Sequence, residues 1–259
     1  MKLLMFLCLT LLSVQASAID FHENIKIKNL FVKAGLEGTF VLYDLHAKTY
    51  SGHNADRANI RYFPASTFKV ANSLIGLSVG AVSSVDEILP YGGGPQYLKI
   101  WEKDMSLRDA IKISNVPIFQ ELARRIGRSK MQKNVVKLGY GNQRIGNNID
   151  TFWLRGPIAI SAIEQTGFLA RLAVGALPYP QKVQKSVREI VELERDEDWV
   201  LYGKTGFSVA SDPQIGWWVG WVKRENRIYS FALNVDVQKA VTKKRIELGK
   251  ASLRILGIL

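Results

Sequence analysis

The sequence predicts an α+β fold, in which helices from both ends of the chain flank an antiparallel-rich sheet and an all-helical domain is inserted. Strand-like composition occurs near both ends, over residues 38–51 and 199–235, and helix-like segments fill the interval. One sheet packed by the terminal helices, with the helical block inserted, buries the apolar faces of both the strands and the helices. We therefore predict a sheet subdomain from residues 19–62 and 199–259, and a helical subdomain from residues 63–198.

The first eighteen residues are expected to be a signal peptide. Met1 and Lys2 form a short positive region, and the apolar stretch from Leu3 to Val14 is too short to span a bilayer. Ala16-Ser17-Ala18 then has the form of a signal-peptidase site. We expect an exported, periplasmic protein that is cleaved near Ala18.

The individual elements follow from local patterns. Residues 38–44 and 49–51, separated by a turn, predict a hairpin. Helices are predicted at Ser66–Gly80, Ser106–Ser114, Pro117–Ile126, Ser129–Leu138, Ser161–Leu177, Gln181–Glu194 and Val241–Leu256. Later strands are predicted at Trp199–Thr205, Gly216–Lys223 and Ile228–Val235, the last two joined by a hairpin turn at Asn226.

Composition narrows the classes of function. The only cysteine, Cys8, lies in the leader, so the mature chain has no thiol for catalysis, disulfides or metal ligation. The formal net charge is +12, but the basic residues are dispersed and no nucleic-acid-binding motif accompanies them. We expect a solvated basic surface, no nucleic-acid partner, no metal and no membrane span in the mature chain.

A candidate nucleophile and base lie at the start of the first long helix. Pro64 tends to open a helix, and Ser66 and Lys69 then share one helical face, with Cβ atoms about 5–6 Å apart. The lysine amine can therefore take the proton of the serine hydroxyl. A serine helix cap followed by a solvated lysine explains the same spacing, which chance supplies about once in a chain of ordinary composition.

Two other motifs lack the context that their chemistry needs. Gly76-Leu77-Ser78-Val79-Gly80 matches the nucleophile elbow of α/β-hydrolases, which requires a strand before the serine, but a helix is predicted there. His22, His46 and His53 all lie near the N-terminus, without a credible nucleophile or metal-ligand spacing. We interpret these histidines as surface residues.

A second motif strengthens the candidate nucleophile. Lys204-Thr205-Gly206 ends an apolar strand and is followed by Phe207, and this triplet downstream of Ser-x-x-Lys is typical of serine acyl transfer on β-lactams. Backbone N–H groups of Ser66 and Phe207 could form an oxyanion hole. Lys204 and Thr205 could bind a substrate carboxylate.

Further segments occur in a fixed order along nearly the whole mature chain. They are Pro64-Ala65-Ser66-Thr67-Phe68-Lys69, Ser114-Asn115-Val116, Tyr140-Gly141-Asn142, Phe152-Trp153-Leu154-Arg155-Gly156-Pro157, Ala162-Ile163-Glu164-Gln165, Lys204-Thr205-Gly206-Phe207 and Trp217-Trp218-Val219-Gly220-Trp221. With this set, the chain resembles the class D β-lactamases, the oxacillinases. It departs from that family's pattern at Pro117, where many members carry an aromatic residue, and in the short loop between Phe207 and Trp217.

The resemblance implies hydrolysis of the β-lactam amide of penicillins and related antibiotics, and hence antibiotic resistance. It implies that Ser66 is acylated and that carbon dioxide or bicarbonate carboxylates Lys69, which becomes the general base without another cofactor. Trp153 would hydrogen-bond the carbamate, and Ser114 would relay protons, with Val116 in the same catalytic set. The implied substrate-binding residues are Lys204, Thr205, Gly206, Phe207, Arg245, Tyr140 and Leu154.

The residues near Lys69 favour the carbamate independently of the resemblance. An amine reacts with carbon dioxide only when it is neutral, whereas the pKa of free lysine is about 10.4. An apolar pocket formed by Phe68, Val116, Trp153 and Leu154 would disfavour the ammonium form and lower that pKa.

Other functions remain open at this point. A β-lactam sensor that is acylated without turnover, or a small transpeptidase or carboxypeptidase, would share these motifs. A basic protein that binds anionic polymers would rest on net charge alone. The expected partners are small-molecule β-lactams, and the protein is expected to be a monomer or a homodimer.

Overall fold

The computed structural model describes residues 20–237 and 244–259. The predicted signal peptide, with Cys8, lies outside the described residues. Within those residues, no helix is both long and apolar enough to cross a membrane.

The described chain contains a seven-stranded sheet in the order β1-β3-β2-β9-β8-β7-β6, in which only β1 and β3 are parallel. Its strands are β1 (Phe21–Glu23), β2 (Gly38–Asp44), β3 (Thr49–His53), β6 (Glu192–Arg195), β7 (Trp199–Ser208), β8 (Ile215–Arg224) and β9 (Arg227–Asp236). A separate two-stranded ribbon pairs β4 (Ile88–Leu89) with β5 (Met105–Ser106). The antiparallel-rich sheet and both predicted hairpins are confirmed.

Helices cover both faces of this sheet. They are α1 (Ile25–Ala34), α2 (Ala55–Ala58), α3 (Phe68–Ser78), α4 (Leu107–Lys112), α5 (Val116–Ile126), α6 (Arg128–Leu138), α7 (Phe152–Arg155), α8 (Ala162–Ala173), α9 (Gln181–Ile190) and α10 (Lys244–Ile255). Helices α1 and α10 pack on one face, and the block from α3 to α9 packs on the other. The final predicted helix began at Val241, which lies outside the described residues.

The alternation of side chains in β8 connects the two cores. Trp217, Val219 and Trp221 belong to the core that contains the helical block, whereas Trp218 and Val222 belong to the core under α1 and α10. Successive residues of a strand point to opposite faces, so this apolar strand serves both cores. All five side chains are almost fully buried.

Most predicted helices are confirmed with small differences at their ends. The Ser106 side chain caps α4, and Ser161 forms a capping box with Glu164 at the start of α8. The first long helix differs more, because the segment containing Ser66 is a 3₁₀ turn, Ala65–Thr67, that leads into α3. The predicted helix Ser161–Leu177 ends at Ala173, and Gly175 follows with a φ of 72°.

The prediction of one helix over Gln181–Glu194 is wrong at its C-terminal end. Helix α9 ends at Ile190, and residues 192–195 form the edge strand β6, paired with β7 through a bulge. The sheet therefore resumes before residue 199, the boundary that the sequence predicted. Helical periodicity continues through this segment in the sequence, but pairing with β7 decides its conformation.

Close packing of α10 on the sheet provides a stability test. A Cβ atom added at Gly249 would lie 2.2 Å from Trp218 Cε3, a separation that requires the helix or the ring to shift. We expect Gly249→Ala to destabilise the fold by about 1–3 kcal/mol and to lower the Tm by roughly 2–10 °C. Thermal unfolding measures this change.

Gly167→Ala is the matched control, because Gly167 also lies inside a helix and a Cβ atom there would meet nothing within 4 Å. Its Tm should stay the same or rise slightly, since alanine favours the helix more than glycine. Equal destabilisation by the two variants would contradict the packing explanation.

Candidate active site

Ser66 lies in a tightly held turn where the sheet meets the helical block. Ala65 has a φ of 48°, a left-handed conformation that is uncommon for alanine. Both the backbone N–H and the hydroxyl of Thr67 donate to Pro64 O, at 3.1 and 2.8 Å. Gln165 Nε2 in turn donates to Thr67 Oγ1 at 2.8 Å. These bonds hold the turn that presents Ser66 at the N-terminus of α3.

Lys69 is buried directly beside this serine. Its Nζ lies within hydrogen-bond distance of Ser66 Oγ, at 2.7 Å, and 5.4 Å from the centre of the Phe119 ring. The residue is 1% exposed. Burial, and secondarily the nearby charge of Lys204, lower the pKa of Lys69 well below its ordinary value. The site therefore favours a neutral amine next to the hydroxyl.

Trp153, whose indole N–H is a hydrogen-bond donor, lies in the same buried region as Lys69. Its ring is fully buried and stacks on Phe68, with centroids 5.8 Å apart. Among the described residues, Trp153 Nε1 has no hydrogen-bond partner. An unpaired buried N–H costs free energy, which indicates that this indole is built to donate to a further group.

Ser114 and Lys204 form the second polar pair of the site. Ser114 connects α4 to α5 with a φ of 55°, and its Oγ accepts a hydrogen bond from Lys204 Nζ. Lys204 Nζ also donates to Thr205 O at 3.1 Å. Burial, with a smaller contribution from Arg245, lowers the pKa of Lys204 to about 7. The two lysines of the site are therefore both far easier to deprotonate than free lysine.

A cavity of about 430 Å³ opens above these groups. Its polar side contains Ser66, Ser114, Thr205 and Arg245, and its apolar side consists of Tyr97, Leu98, Trp101, Val116, Leu154, Phe207 and Val209, with Gly206 and Arg155 completing the lining. Two guanidinium nitrogens of Arg245, Nε and Nη1, are buried without a partner among the described residues. This arrangement fits an apolar molecule that carries an anionic group.

Strand β7 approaches the Ser66 turn so closely that only glycine fits at residue 206. A Cβ atom there would lie 2.9 Å from Pro64 O and 3.0 Å from Thr67 Cγ2. The absence of a side chain lets the backbone at Phe207 run past the nucleophile. The pairing of Gly206 with Trp217 fixes this register within the sheet.

Most of the predicted residues line this cavity, Lys69 and Lys204 contact its lining through Ser66 and Ser114, and Trp153 and Tyr140 are buried outside it. Tyr140 is 1% exposed and packs edge-on against Phe68 and Phe168, with ring centroids 5.4 and 5.2 Å away. It does not line the cavity. The prediction that Tyr140 contacts substrate is therefore corrected to a packing role behind the helix that bears Lys69. Burial raises the pKa of its phenol well above the ordinary value.

Sequence reasoning did not assign roles to Thr67, Gln165 or Trp101. Gln165 belongs to a segment that matched the family, but its bond to Thr67 joins residues 98 apart in sequence. No local pattern reveals such a contact. Trp101 lies in a 3₁₀ turn, Lys99–Trp101, whose aromatic content was the only available signal.

The sequence context excludes an α/β-hydrolase motif and shows no metal-ligand spacing, and the described residues bear on both points. Gly76 and Ser78 lie inside α3, so the α/β-hydrolase interpretation fails as predicted. Within residues 20–237 and 244–259, no cluster of three or more His, Cys, Asp or Glu side chains could hold a metal ion.

Comparison with known proteins agrees with this geometry. Residues 26–254 match the family described as penicillin binding protein transpeptidase domain. The chain is 38% identical over 235 residues to beta-lactamase OXA-10 of Pseudomonas aeruginosa. The matched region covers 90% of this chain and 88% of that relative. It is 36% identical over 247 residues to beta-lactamase OXA-48 of Klebsiella pneumoniae, covering 92% of this chain and 93% of the relative.

A solved structure extends the similarity to three dimensions. The class D β-lactamase FUS-1 (OXA-85) from Fusobacterium nucleatum subsp. polymorphum superposes with a TM-score of 0.89 at 43% identity, covering 92% of this chain and 100% of that one. The fold and the serine–lysine site are those of the transpeptidase and serine β-lactamase class. Within it, the chain belongs to the class D β-lactamases. The predicted fold, family and enzyme class are confirmed.

Proposed function

We propose that this enzyme hydrolyses penicillins through an acyl-enzyme on Ser66, with Lys69 acting as general base in its N-carboxylated form. The observation that carries the proposal is a buried amine, with a lowered pKa, 2.7 Å from the Ser66 hydroxyl. A neutral lysine is the state that reacts with carbon dioxide. The hydrogen bond between Lys69 and Ser66 supports the proposal, because a general base must lie within hydrogen-bond reach of the proton it takes.

Acylation begins when the base on Lys69 takes the proton of Ser66. The serine oxygen then forms a bond to the β-lactam carbonyl carbon, and backbone N–H groups of Ser66 and Phe207 stabilise the oxyanion. The carbon–nitrogen bond of the ring breaks as the nitrogen accepts a proton. Ser114, which accepts a hydrogen bond from Lys204, would relay to this nitrogen the proton that the base took from Ser66, so that the base and Ser114 both return to their starting protonation before deacylation.

The residues around Lys69 fit a carbamate. Trp153 Nε1, which has no partner among the described residues, and Ser66 Oγ are the groups that would hold it. Carboxylation supplies a carboxylate base on the lysine. Lys69 can then accept a proton from water as that water attacks the acyl carbon, and the proton returns to Ser66 when the product acid leaves.

Substrate binding is assigned to the polar side of the cavity. Arg245 Nε and Nη1, which have no partner among the described residues, and the Thr205 hydroxyl can bind the carboxylate that penicillins carry next to the lactam nitrogen. Gly206 and Phe207 provide the backbone along which substrate lies, and Val116 and Leu154 contact its apolar parts. Export to the periplasm, where penicillins act, and resistance to them complete the proposal.

Turnover distinguishes this function from a sensor or a transpeptidase. We expect catalytic hydrolysis of benzylpenicillin and of a chromogenic cephalosporin by the wild type, increased by bicarbonate, and no hydrolysis by Ser66→Ala. Intact-mass measurement should show a transient adduct that disappears once substrate is consumed. A stable one-to-one acyl complex with every penicillin tested would overturn the proposal.

The lowered pKa of Lys204 predicts an alkaline limb in the pH profile, in which kcat/KM falls as the pH rises. Its amine is charged below a pKa of about 7 and neutral above it, so attraction of the substrate carboxylate is lost as the pH rises through that value. With saturating bicarbonate, we expect kcat/KM to fall about tenfold across this limb. In Lys204→Arg the limb should move to higher pH, because arginine stays protonated. An unchanged limb in Lys204→Arg would assign it to another group.

A further inference from the structure

Residues 97–101 form an aromatic wall of the cavity, and two reciprocal hydrogen bonds join this wall to the turn that carries Ser114. Trp101 Nε1 donates to Ile113 O at 3.1 Å. Asn115 Nδ2 donates in the opposite direction, to Trp101 O, at 3.3 Å. Because the bonds lie on either side of Ser114 in the sequence, the wall cannot move away from this serine without breaking one of them.

Asn115 is the residue on which this junction depends. Its side chain is fully buried, and Oδ1 accepts the backbone N–H of Ile118, capping α5. Its backbone N–H donates to Ala110 O in α4, at 2.8 Å. One residue therefore connects α4, α5 and Trp101. Its neighbour Ser114 has a φ of 55°, a conformation that persists only where surrounding contacts enforce it.

The wall itself has little burial to hold it in place. Tyr97 is 90% exposed and Leu98 is 41% exposed, although both line the cavity beside Trp101. The Tyr97 and Trp101 rings lie 6.3 Å apart, so a shift of Trp101 changes the surface that both present. Exposed turns with few apolar contacts open easily unless hydrogen bonds anchor them.

We propose that Asn115 is a positioning residue that fixes the Tyr97–Trp101 wall against the Ser114 turn and so determines how well the cavity binds the apolar side chain of a substrate. The proposal rests on the proposed function. The side-chain amide acts through Trp101 and makes no contact with substrate. Its effect therefore appears in KM for substrates large enough to touch the wall.

Asn115→Ser separates the helix cap made by this side chain from the donation of its amide to Trp101 O and, at 3.5 Å, to Met105 Sδ. Serine is as good a helix cap as asparagine, so α5 keeps its cap. Its short hydroxyl cannot replace the amide donation to Trp101 O. The probes are benzylpenicillin and 6-aminopenicillanic acid, which share the lactam and the carboxylate but differ in the apolar acyl group. We expect kcat/KM for benzylpenicillin to fall about tenfold, mainly through KM, and that for 6-aminopenicillanic acid to stay within about threefold.

Asn24→Ser is the matched control. Asn24 caps α1 by accepting the N–H groups of Lys26 and Ile27, and it is not among the residues that line the cavity. This variant should keep the wild-type ratio between the two substrates. Trp101→Phe removes the other hydrogen bond of the junction and should show the same selective rise in KM. This variant tests the proposal if Asn115→Ser does not fold.

The outcomes separate this proposal from the proposed function. A double variant, Asn115→Ser with Trp101→Phe, should lose little more than the worse single variant, since both changes open one junction. Equal losses on both substrates, or an unchanged KM in Asn115→Ser, would overturn the positioning role while leaving hydrolysis intact. Failure of the wild type to hydrolyse either substrate would instead overturn the function on which it rests.

Discussion

Lys69→Ala should abolish turnover, with a loss of kcat/KM of about 10³–10⁴ or more. The substitution removes the group 2.7 Å from Ser66 Oγ that, in the proposed mechanism, takes the serine proton and later activates the deacylating water. Any adduct that forms slowly should therefore persist. Steady-state hydrolysis with and without bicarbonate, followed by intact-mass measurement after long incubation with benzylpenicillin, tests both steps.

Bicarbonate provides the sharpest readout of this variant. Wild-type activity should rise with bicarbonate, whereas Lys69→Ala should not respond at any concentration. Lys130→Ala, which removes an exposed lysine of α6, is the control and should behave as wild type. Bicarbonate-dependent turnover by Lys69→Ala would show that another residue carries the base, and a wild type without any bicarbonate response would exclude the carbamate.

Local spacing explains why the catalytic pair could be predicted. Ser66 and Lys69 are three residues apart at the start of a helix, so backbone geometry alone brings the hydroxyl and the amine together. The 3₁₀ turn that replaces the first predicted helical residues keeps this relation. Short apolar runs bounded by turn residues likewise predicted β8 and β9, because their length and composition are local features of the sequence.

Tertiary contacts explain what the sequence could not supply. Tyr140 and Trp153 both occur in matching segments, yet packing on Phe68 buries both rings outside the cavity lining and leaves Trp153 Nε1 without a partner among the described residues. The edge strand at residues 192–195 exists because β7 lies beside it, although its pattern also continues a helix. Asn115 similarly acquires its place from Trp101, which sequence spacing cannot indicate.

Trp153→Phe should give the second largest effect, because it removes an indole N–H that has no partner among the described residues and that would hold a carbamate on Lys69, while it keeps an aromatic ring against Phe68. A hydrogen bond to a charged group contributes about 1.5–3 kcal/mol, so we expect kcat to fall about 10- to 100-fold. The defect should lie mainly in deacylation. The acyl-enzyme should accumulate during turnover, and half-maximal activity should require more bicarbonate than in the wild type.

Trp218→Phe distinguishes lost donation from lost packing. Trp218 is as buried as Trp153, but it belongs to the core under α1 and α10 on the other face of the sheet. Both variants should lower the Tm, since each leaves a smaller ring in a tight site. Only Trp153→Phe should change the bicarbonate requirement. If Trp153→Phe kept the wild-type bicarbonate response and deacylation rate, the indole would be a packing residue and the carbamate would need another donor. An equal loss of activity in Trp153→Phe and Trp218→Phe would also show that the indole acts only through packing.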